Sequence, residues 1–190
     1  MKIFLASRSE RRRQLLEQIG IQFHTIDIEI DETYHPHESP DGYVLRMAYE
    51  KAEQGKQKTS SDSIIIAADT SVILDNEVLG KAETSEQAFH MLNQLSGRRH
   101  EVMTAVAVAE NDIHTDISTT QVCFCRLSHS KNKHYIATNE PIGKARAYAI
   151  QGYAAKYIER IEGSYSAVMG LPLYETAQLL KETLIKSELP

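Results

Sequence analysis

Two acidic positions in this sequence have the residue types and the surroundings to take part in chemistry. Asp69 follows the apolar run 64–68, and a carboxylate at the end of a buried strand is placed where α/β proteins bind ligands. Such an aspartate could accept a proton from water, hold a divalent metal ion, or shape an Asx turn before Thr70. The pair Asp31-Glu32 ends a second predicted strand, where mutual repulsion favours either exposure or a shared cation.

Basic residues follow two other turns. Arg11, Arg12 and Arg13 fall in the first turn of a predicted helix whose N-cap is Ser9. Because a helix N-terminus already carries partial positive charge, arginines placed there favour an anionic ligand or full solvation. Lys81 follows a glycine, a pattern that suits phosphate, although a lone Gly-Lys is a weak motif.

A third polar segment lies at 143–152. It contains Lys144 and Arg146 and ends in Gln151-Gly152. The amide of Gln151 carries both donors and an acceptor, so it could pair with the edge of a nucleobase. The same residue could instead cap a turn.

Length and charge limit the class of protein. A chain of 190 residues, 42% hydrophobic and 25% charged, predicts one soluble globular domain. The net charge of −5 disfavours binding to nucleic acid. The chain has no apolar run of membrane-spanning length and no pattern typical of a signal peptide, which predicts a cytoplasmic protein without a membrane partner.

Neither the cysteines nor the histidines predict a metal site. Cys123 and Cys125 would point to the same face of a strand, which is poor geometry for a disulfide, and we expect buried or half-buried thiols. His35 and His37 have no third ligand at a suitable spacing, so a solvated loop is expected there.

The pattern of apolar residues predicts the elements that position these groups. Predicted helices span 11–19, 41–56, 85–95, 131–138 and 174–185. Predicted strands span 2–6, 23–30, 63–68 with a continuation at 71–74, 101–110, 113–126 and 153–161, and residues 163–172 form a loop of small residues. Their alternation, with hairpins among them, predicts an α/β fold: a single domain, residues 1–190, with a mixed twisted sheet and two lobes flanking a cleft.

Several short motifs occur in collinear order over nearly the whole chain. They are Leu5-Ala6-Ser7-x-Ser9-x-Arg11-Arg12, Glu50-Lys51-Ala52, Ala68-Asp69-Thr70, Gly80-Lys81, Leu95-Ser96-Gly97-x-x-His100, Lys144-Ala145-x-Ala147-Tyr148-x-Ile150-Gln151-Gly152 and Gly163-Ser164-Tyr165-x-x-Val168-x-Gly170-Leu171-Pro172. In these motifs the sequence resembles the Maf family of nucleoside triphosphate pyrophosphatases. Agreement of many motifs in order is far more specific than any one of them.

The resemblance implies a hydrolase dependent on Mg²⁺ or Mn²⁺ that cuts the α-β phosphoanhydride bond, releasing a nucleoside monophosphate and pyrophosphate. It also implies a Maf/Ham1-like fold, a nucleotide-binding cleft and a homodimer. The residues around Gln151 are similar to the subfamily acting on dTTP and UTP. Two alternatives stay open: a house-cleaning enzyme for modified pyrimidine nucleotides, and a nucleotide-binding regulator of septum formation with weak or no catalysis.

The resemblance also implies roles for individual residues. Asp69 matches the proton acceptor, and Glu32 together with Asp69 matches the metal site. The positions that set nucleotide preference are Arg11, Thr70 and Gln151. The positions that contact phosphate are Ser7, Arg12, Lys51, Lys81 and Lys144.

The sequence departs from the family pattern at a few positions. Arg146 replaces a usual glycine, which would cost energy if φ there is positive but could supply a cation to a phosphate. Gly143 replaces a usual acidic residue. Ala82 and Glu10 replace prolines, which predicts minor losses of rigidity.

Overall fold

β-strands and α-helices alternate in this computed structural model, which describes residues 1–143 and 148–188. The strands are β1 (Lys2–Ala6), β2 (His24–Ile26), β3 (Ser63–Leu74), β4 (Glu77–Leu79), β5 (Arg99–Ala109), β6 (Ile113–Phe124) and β7 (Ile158–Glu162). The helices are α1 (Glu10–Gln18), α2 (Pro40–Gln57), α3 (Ser85–Leu95), α4 (His129–Ile136), α5 (Tyr165–Met169) and α6 (Leu173–Glu188), and a 3₁₀-helix spans Tyr153–Tyr157.

The strands form one mixed sheet, as predicted, and it has seven strands in the described part of the chain. Its order is β2-β1-β3-β5-β6-β7, with β4 paired to β3. The pairs β1–β2 and β1–β3 are parallel, whereas β3–β4 and β6–β7 are antiparallel. A parallel pair needs a long crossover, and helices α1 and α2 lie in the crossovers on either side of β2.

By its internal contacts the chain divides into two compact units. Unit 1 consists of Met1–Asp69, Thr104–Ser118 and Gly170–Pro190, and unit 2 of Thr70–Met103 and Thr119–Met169. The boundary therefore falls inside β3, between Asp69, the predicted proton acceptor, and Thr70, one of the positions predicted to set nucleotide preference. The single domain and the nucleotide-binding cleft stay predictions.

In unit 1, α2 packs closely against the sheet because it carries a glycine at the contact. A Cβ at Gly55 would lie 2.6 Å from Cγ2 of Ile65 and 3.3 Å from Cδ1 of Ile26. Ala48 and Ala52 on the same helix are fully buried. Small residues along this face bring the backbone of α2 near β3, and Lys51 lies one turn before Gly55.

In unit 2, the apolar core includes buried residues of α3 and α4. Helix α3 begins with a capping box in which the Thr84 side chain accepts from Gln87 N–H, while the Gln87 side chain accepts from Thr84 N–H. The hairpin of β3 and β4 turns at Asp75 and Asn76, both with positive φ of 53° and 64°, which is the two-residue turn that matches strand twist. The buried members of the core are Val72, Leu74, Leu92, Leu95, Val102, Val122, Phe124, Tyr135, Tyr148, Ile150, Ala154, Tyr157 and Val168.

Two strand predictions in unit 1 were wrong. The strand expected over 23–30 ends at Ile26, which pairs with Ala6, the last residue of β1. Residues 27–30 have no part of β1 beside them, so Asp31-Glu32 lies in a loop rather than at a strand end. The break expected at Asp69-Thr70 does not occur, because β3 runs unbroken over twelve residues.

Two predictions near the C-terminal part of the chain were also wrong. Residues 153–157, expected as strand, form the 3₁₀-helix, since the carboxylate of Glu140 accepts hydrogen bonds from the N–H groups of Tyr153 and Ala154. The loop expected over 163–172 contains α5, whose first turn is held by Ser164, with Oγ accepting from Ala167 N–H at 3.2 Å.

Candidate active site

Lys51 gathers the two predicted acidic residues around one ammonium group in unit 1. Its Nζ lies 2.6 Å from Oδ1 of Asp69 and 2.9 Å from Oε1 of Glu32. The side chains of Lys51 and Asp69 are 12% and 13% exposed, and that of Glu32 is 41% exposed. A largely buried ammonium between two carboxylates offsets their mutual repulsion and holds both in place. We refer to these three residues as the Lys51 cluster.

Strand β3 places Asp69 just beyond the end of a parallel pairing. The register of β3 with β1 ends at Ile66, opposite Leu5, and pairing with β4 begins at Val72. Asp69 is partly exposed, whereas its neighbours Ala68 and Thr70 are buried. Asp69 was expected at the carboxyl end of a strand. It does lie beyond the carboxyl end of the segment of β3 that pairs with β1, but β3 itself continues to Leu74, so the expectation is wrong for the strand as a whole.

The loop that carries Glu32 is tied to α2 through its backbone. Tyr43 donates from its hydroxyl to the Glu32 carbonyl at 2.9 Å, and Arg46 donates from Nη2 to the Thr33 carbonyl at 3.0 Å. Burial, followed by the negative charge of Asp69 and of Glu32, raises the pKa of Tyr43 to about 12. Tyr43 therefore stays a hydrogen-bond donor at neutral pH.

Arg46 is itself fixed by a forked pair with Glu38. Its Nε and Nη2 each lie 2.7 Å from a different oxygen of Glu38, and Nη1 lies 3.3 Å from Oε1 of Glu50. The Arg46 hydrogen bonds lower the pKa of Glu38 to about 2, and the same pair raises the pKa of Arg46. Two parallel N–H···O bonds fix orientation as well as distance, so the loop around Glu32 is held firmly.

The turn between β1 and α1 orients Ser7 and Arg12. Oγ of Ser7, which is nearly buried, accepts from Ser9 N–H at 3.1 Å and from Arg12 Nη1 at 3.3 Å, and Arg12 Nε donates to the Gly170 carbonyl at 2.7 Å. Ser9 is the N-cap residue, as predicted, but its side chain makes no capping bond to any residue that the structure describes. Burial lowers the pKa of Arg12, and the charge of Asp69 opposes that effect, so the guanidinium lies within electrostatic reach of the Lys51 cluster.

The three arginines of α1 differ in their surroundings. Arg13 is exposed and pairs with Glu10 at 3.0 Å, as expected of a solvated surface residue. Arg11 is half-buried, burial lowers its pKa, and its buried Nε has no hydrogen-bond partner in the part of the chain that the structure describes. A buried N–H donor without a partner costs about 1–3 kcal/mol, which a bound acceptor would offset.

In unit 2 the predicted residues lie on β3 and on two loops. Thr70 is buried in β3, and Lys81 is exposed directly after β4 and Gly80. Gln151 is exposed on a turn that the Gly152 N–H closes by donating to the Ala149 carbonyl at 3.0 Å. Lys144 and Arg146 lie outside the described residues.

Comparison with known proteins decides the family. A family model described as "Maf-like protein" matches residues 2–183. The chain belongs to the Maf family.

Two curated relatives of this Maf protein carry the same name. A "dTTP/UTP pyrophosphatase" of Hydrogenovibrio crunogenus is 45% identical over 98% of each chain. The protein of the same name from Acinetobacter baylyi is 50% identical over 93% of this chain and 97% of its own. The prediction of the family is confirmed.

Solved structures confirm the predicted Maf/Ham1-like fold. The Ham1 protein of Staphylococcus aureus superposes with a TM-score of 0.53 at 14% identity, covering 99% of this chain and 100% of its own. A HAM1 protein of Coxiella burnetii has the same TM-score and identity, covering 96% of this chain and 99% of its own. At this identity the likeness concerns the fold alone.

The departure from the family pattern at Gly143 suits its backbone. Gly143 has a φ of +69°, and its N–H donates to the Ala82 carbonyl at 2.9 Å. A positive φ costs glycine nothing, whereas most other residues are strained there. The glycine therefore adopts this backbone conformation without the strain that most side chains would bring.

The donor set of the Lys51 cluster fits a magnesium-like ion. Within residues 1–143 and 148–188 no group of three or more His, Cys, Asp or Glu is arranged to hold a metal ion by itself. Glu32 and Asp69 nevertheless converge on one cation, Lys51, and each carboxylate has a second oxygen. Mg²⁺ commonly takes one or two carboxylates and completes its shell with water and substrate phosphates.

Sequence reasoning missed the residues that support the cluster. Tyr43, Arg46 and Glu38 fix the Glu32 loop, but no motif marks them. One signal was present: Tyr43, Arg46 and Glu50 follow each other at intervals of three and four along α2, so they share a helix face.

No helix among the described residues is long and apolar enough to span a bilayer.

The thiols of Cys123 and Cys125 are free and half-buried, as predicted.

Proposed function

We propose that this Maf protein is a nucleoside triphosphate pyrophosphatase that hydrolyses dTTP and UTP to the monophosphate and pyrophosphate. The observation that carries the proposal is the Lys51 cluster, in which the largely buried Asp69 carboxylate is held 2.6 Å from the Lys51 ammonium group. Two relatives of this chain bear that activity in their names. Hydrolysis of a phosphoanhydride needs a base for water and cations for the phosphates, and the cluster contains both.

Asp69 is the proposed proton acceptor. The water oxygen forms a bond to phosphorus while the α-β anhydride bond breaks; the water proton passes to the Asp69 carboxylate, and the bond's electron pair leaves with pyrophosphate. Lys51 keeps the Asp69 carboxylate in one orientation before substrate arrives. A base held in place in this way loses little entropy in the transition state.

The remaining cations and donors would hold the phosphates. Arg12 is already oriented by the Gly170 carbonyl and by Ser7, so its guanidinium needs little reorganisation to meet an anion. Ser7 and Lys51 are further proposed phosphate contacts. Lys81 and Lys144 complete the proposed phosphate contacts.

A divalent cation, Mg²⁺ or Mn²⁺, is part of the proposal. The residues that would hold it are Glu32 and Asp69, through carboxylate oxygens. When bound, such an ion neutralises developing charge on the phosphate oxygens.

Nucleotide preference is assigned to Arg11, Thr70 and Gln151. Gln151 is exposed on a fixed turn, so its amide is available to pair with the edge of a base. A site that pairs with a base through hydrogen bonds strongly rejects a base that lacks the matching groups.

We place the enzyme in the cytoplasm, where nucleotide pools are found. We also expect a homodimer, and light scattering would test its oligomeric state.

The test is pyrophosphate release from a panel of nucleoside triphosphates with Mg²⁺ and with Mn²⁺. Selective release from dTTP and UTP is expected, and Asp69→Asn should lower kcat by about 10²–10⁴ because the base is lost. The matched control is Asp75→Asn, at an exposed turn position whose φ of 53° asparagine tolerates. Full activity of Asp69→Asn would contradict the assignment of the base.

The same panel separates the alternatives. Greater release from modified pyrimidine triphosphates than from dTTP would identify a house-cleaning enzyme. Binding of nucleotides without release of pyrophosphate from any of them would identify the regulator.

A further inference from the structure

The turn that carries Gln151 is held by the carboxylate of Glu140. No role in the proposed catalysis, metal binding or phosphate binding has been given to Glu140. Oε1 of Glu140 accepts from the Tyr135 hydroxyl at 2.7 Å, and Oε2 accepts from Tyr153 N–H at 2.8 Å. Ala154 N–H adds a longer bond of 3.4 Å to Oε1. One carboxylate thus ties the end of α4 to the first turn of the 3₁₀-helix.

Gly152 lies directly on this carboxylate. A Cβ at position 152 would lie 2.6 Å from Oε1 of Glu140 and 2.5 Å from its Cδ, and Cβ atoms in real structures essentially never come so close to another atom. The contact shows that the backbone immediately after Gln151 is packed against Glu140 with no space between them. A shift of the turn in that direction is therefore blocked.

Glu140 is anchored in turn by the core. Tyr135 is 2% exposed and packs edge-on against Tyr157, with ring centroids 5.8 Å apart. Burial and the hydrogen bond to Glu140 raise the pKa of Tyr135, so the hydroxyl keeps its proton and keeps donating. The carboxylate therefore has a rigid partner on its far side.

The other side of the turn is fixed as well. Tyr148 is buried and its hydroxyl lies 2.7 Å from Nε2 of His100 on β5. Ala149 and Ile150 are buried, and the Gly152 N–H closes the turn onto the Ala149 carbonyl. The backbone of Gln151 is held before and after the residue, while its side chain is exposed.

We propose that Glu140 is a positioning residue for nucleobase selection: by fixing Gly152 and the 3₁₀-helix, it sets where the Gln151 amide meets a base. This inference rests on the proposed function. A hydrogen bond discriminates between bases only if the amide cannot move to suit another base, so a loosened turn lowers preference more than it lowers phosphate chemistry.

The test measures nucleotide preference in binding and in turnover. The variant is Glu140→Gln, which keeps size but replaces one acceptor oxygen with an NH₂ that cannot accept from a backbone N–H. The matched control is Glu159→Gln, at an exposed position on β7. Binding of α,β-methylene analogues of dTTP and dGTP is measured by calorimetry, and kcat and KM are measured for dTTP, dGTP and inorganic tripolyphosphate, which has no base.

Glu140→Gln is expected to lower the preference for dTTP over dGTP about tenfold, mainly by raising KM for dTTP. Its hydrolysis of tripolyphosphate should stay at the wild-type rate, and the Glu159→Gln control should keep the wild-type preference. The decisive arm repeats the substitution in a Gln151→Ala background. Because Glu140 acts through Gln151, no further loss of preference is expected there.

An equal further loss of preference in the Gln151→Ala background would overturn the inference, as would an unchanged preference in a folded Glu140→Gln protein. If Glu140→Gln does not fold, Tyr135→Phe removes one of the bonds and must shift preference in the same direction, and an unchanged preference there overturns the inference. A wild-type protein that binds the analogues but releases no pyrophosphate overturns the proposed function. In that case the calorimetric preference for the dTTP analogue over the dGTP analogue decides the inference on Glu140. A wild-type protein that binds none of them overturns both.

Discussion

The Lys51 cluster of unit 1 and the Gln151 turn of unit 2 are positioned by opposite means. In the cluster, charged side chains from a helix, a loop and a strand pair directly with one another, at 2.6 and 2.9 Å. In the turn, the side chain of Gln151 is exposed, and it is the backbone on either side that is fixed by buried neighbours and by Glu140.

The difference follows from what each group has to do. A carboxylate that takes a proton has to be held in place, and a neighbouring ammonium provides that without a ligand. An amide that selects a base has to keep its donors and acceptor available, so only its backbone can be fixed. Ion pairs therefore position Asp69, the proposed proton acceptor. Packing of buried neighbours and backbone hydrogen bonds position Gln151, the proposed recognition group.

The largest effect is expected from removing the charge at the centre of the cluster. Lys51→Met leaves Asp69 and Glu32 facing each other without their common cation, and we expect kcat/KM for dTTP to fall by about 10²–10⁴. Lys56→Met is the control on the same helix; its Nζ bonds the exposed Asn111 carbonyl at 2.8 Å. Activity of Lys51→Met within a few-fold of wild type would mean that charge does not organise this region.

A smaller effect is expected from overpacking the turn. Gly152→Ala forces a methyl group onto Glu140 and should cost about 1–3 kcal/mol, or roughly 3–10 °C in melting temperature for a chain of this size. Gly80→Ala is the stability control, because no atom of the described residues lies within 4 Å of a Cβ added there and its φ is not positive. The double variant Gly152→Ala/Glu140→Ala, which removes the opposing carboxylate, should recover part of the lost stability; no recovery would show that packing against Glu140 is not the cause.

The smallest effect concerns acid stability in unit 1. Glu38 has a pKa of about 2 in the folded protein against 4.5 ordinarily, so the unfolded chain binds more protons between those values. The stabilisation from the pair with Arg46 is therefore complete above pH 4.5 and is lost as pH falls towards 2. Urea unfolding at several pH values should show a shallower acid loss for Glu38→Gln than for wild type; parallel curves would contradict the assigned pair.

Local sequence patterns were sufficient for much of the fold. Helix α3 was predicted at its observed bounds, as was β1, because capping residues and apolar spacing act within a few residues of each other. The 3₁₀-helix was missed because its N-terminus is capped by Glu140, a carboxylate thirteen residues from Tyr153. No local pattern around residue 153 contains that information.

The sequence by itself determined the family and the candidate chemistry, since the motifs around Asp69, Lys51 and Gln151 specify residue types in a fixed order. Tertiary structure alone decided which of these groups touch. Glu32, Lys51 and Asp69 are brought together because Gly55 lets α2 approach β3 and because Tyr43 and Arg46 tie the Glu32 loop to the same helix. Side-chain contacts of 2.6–2.9 Å depend on backbone packing between elements far apart in the chain, and neither composition nor spacing encodes that packing directly.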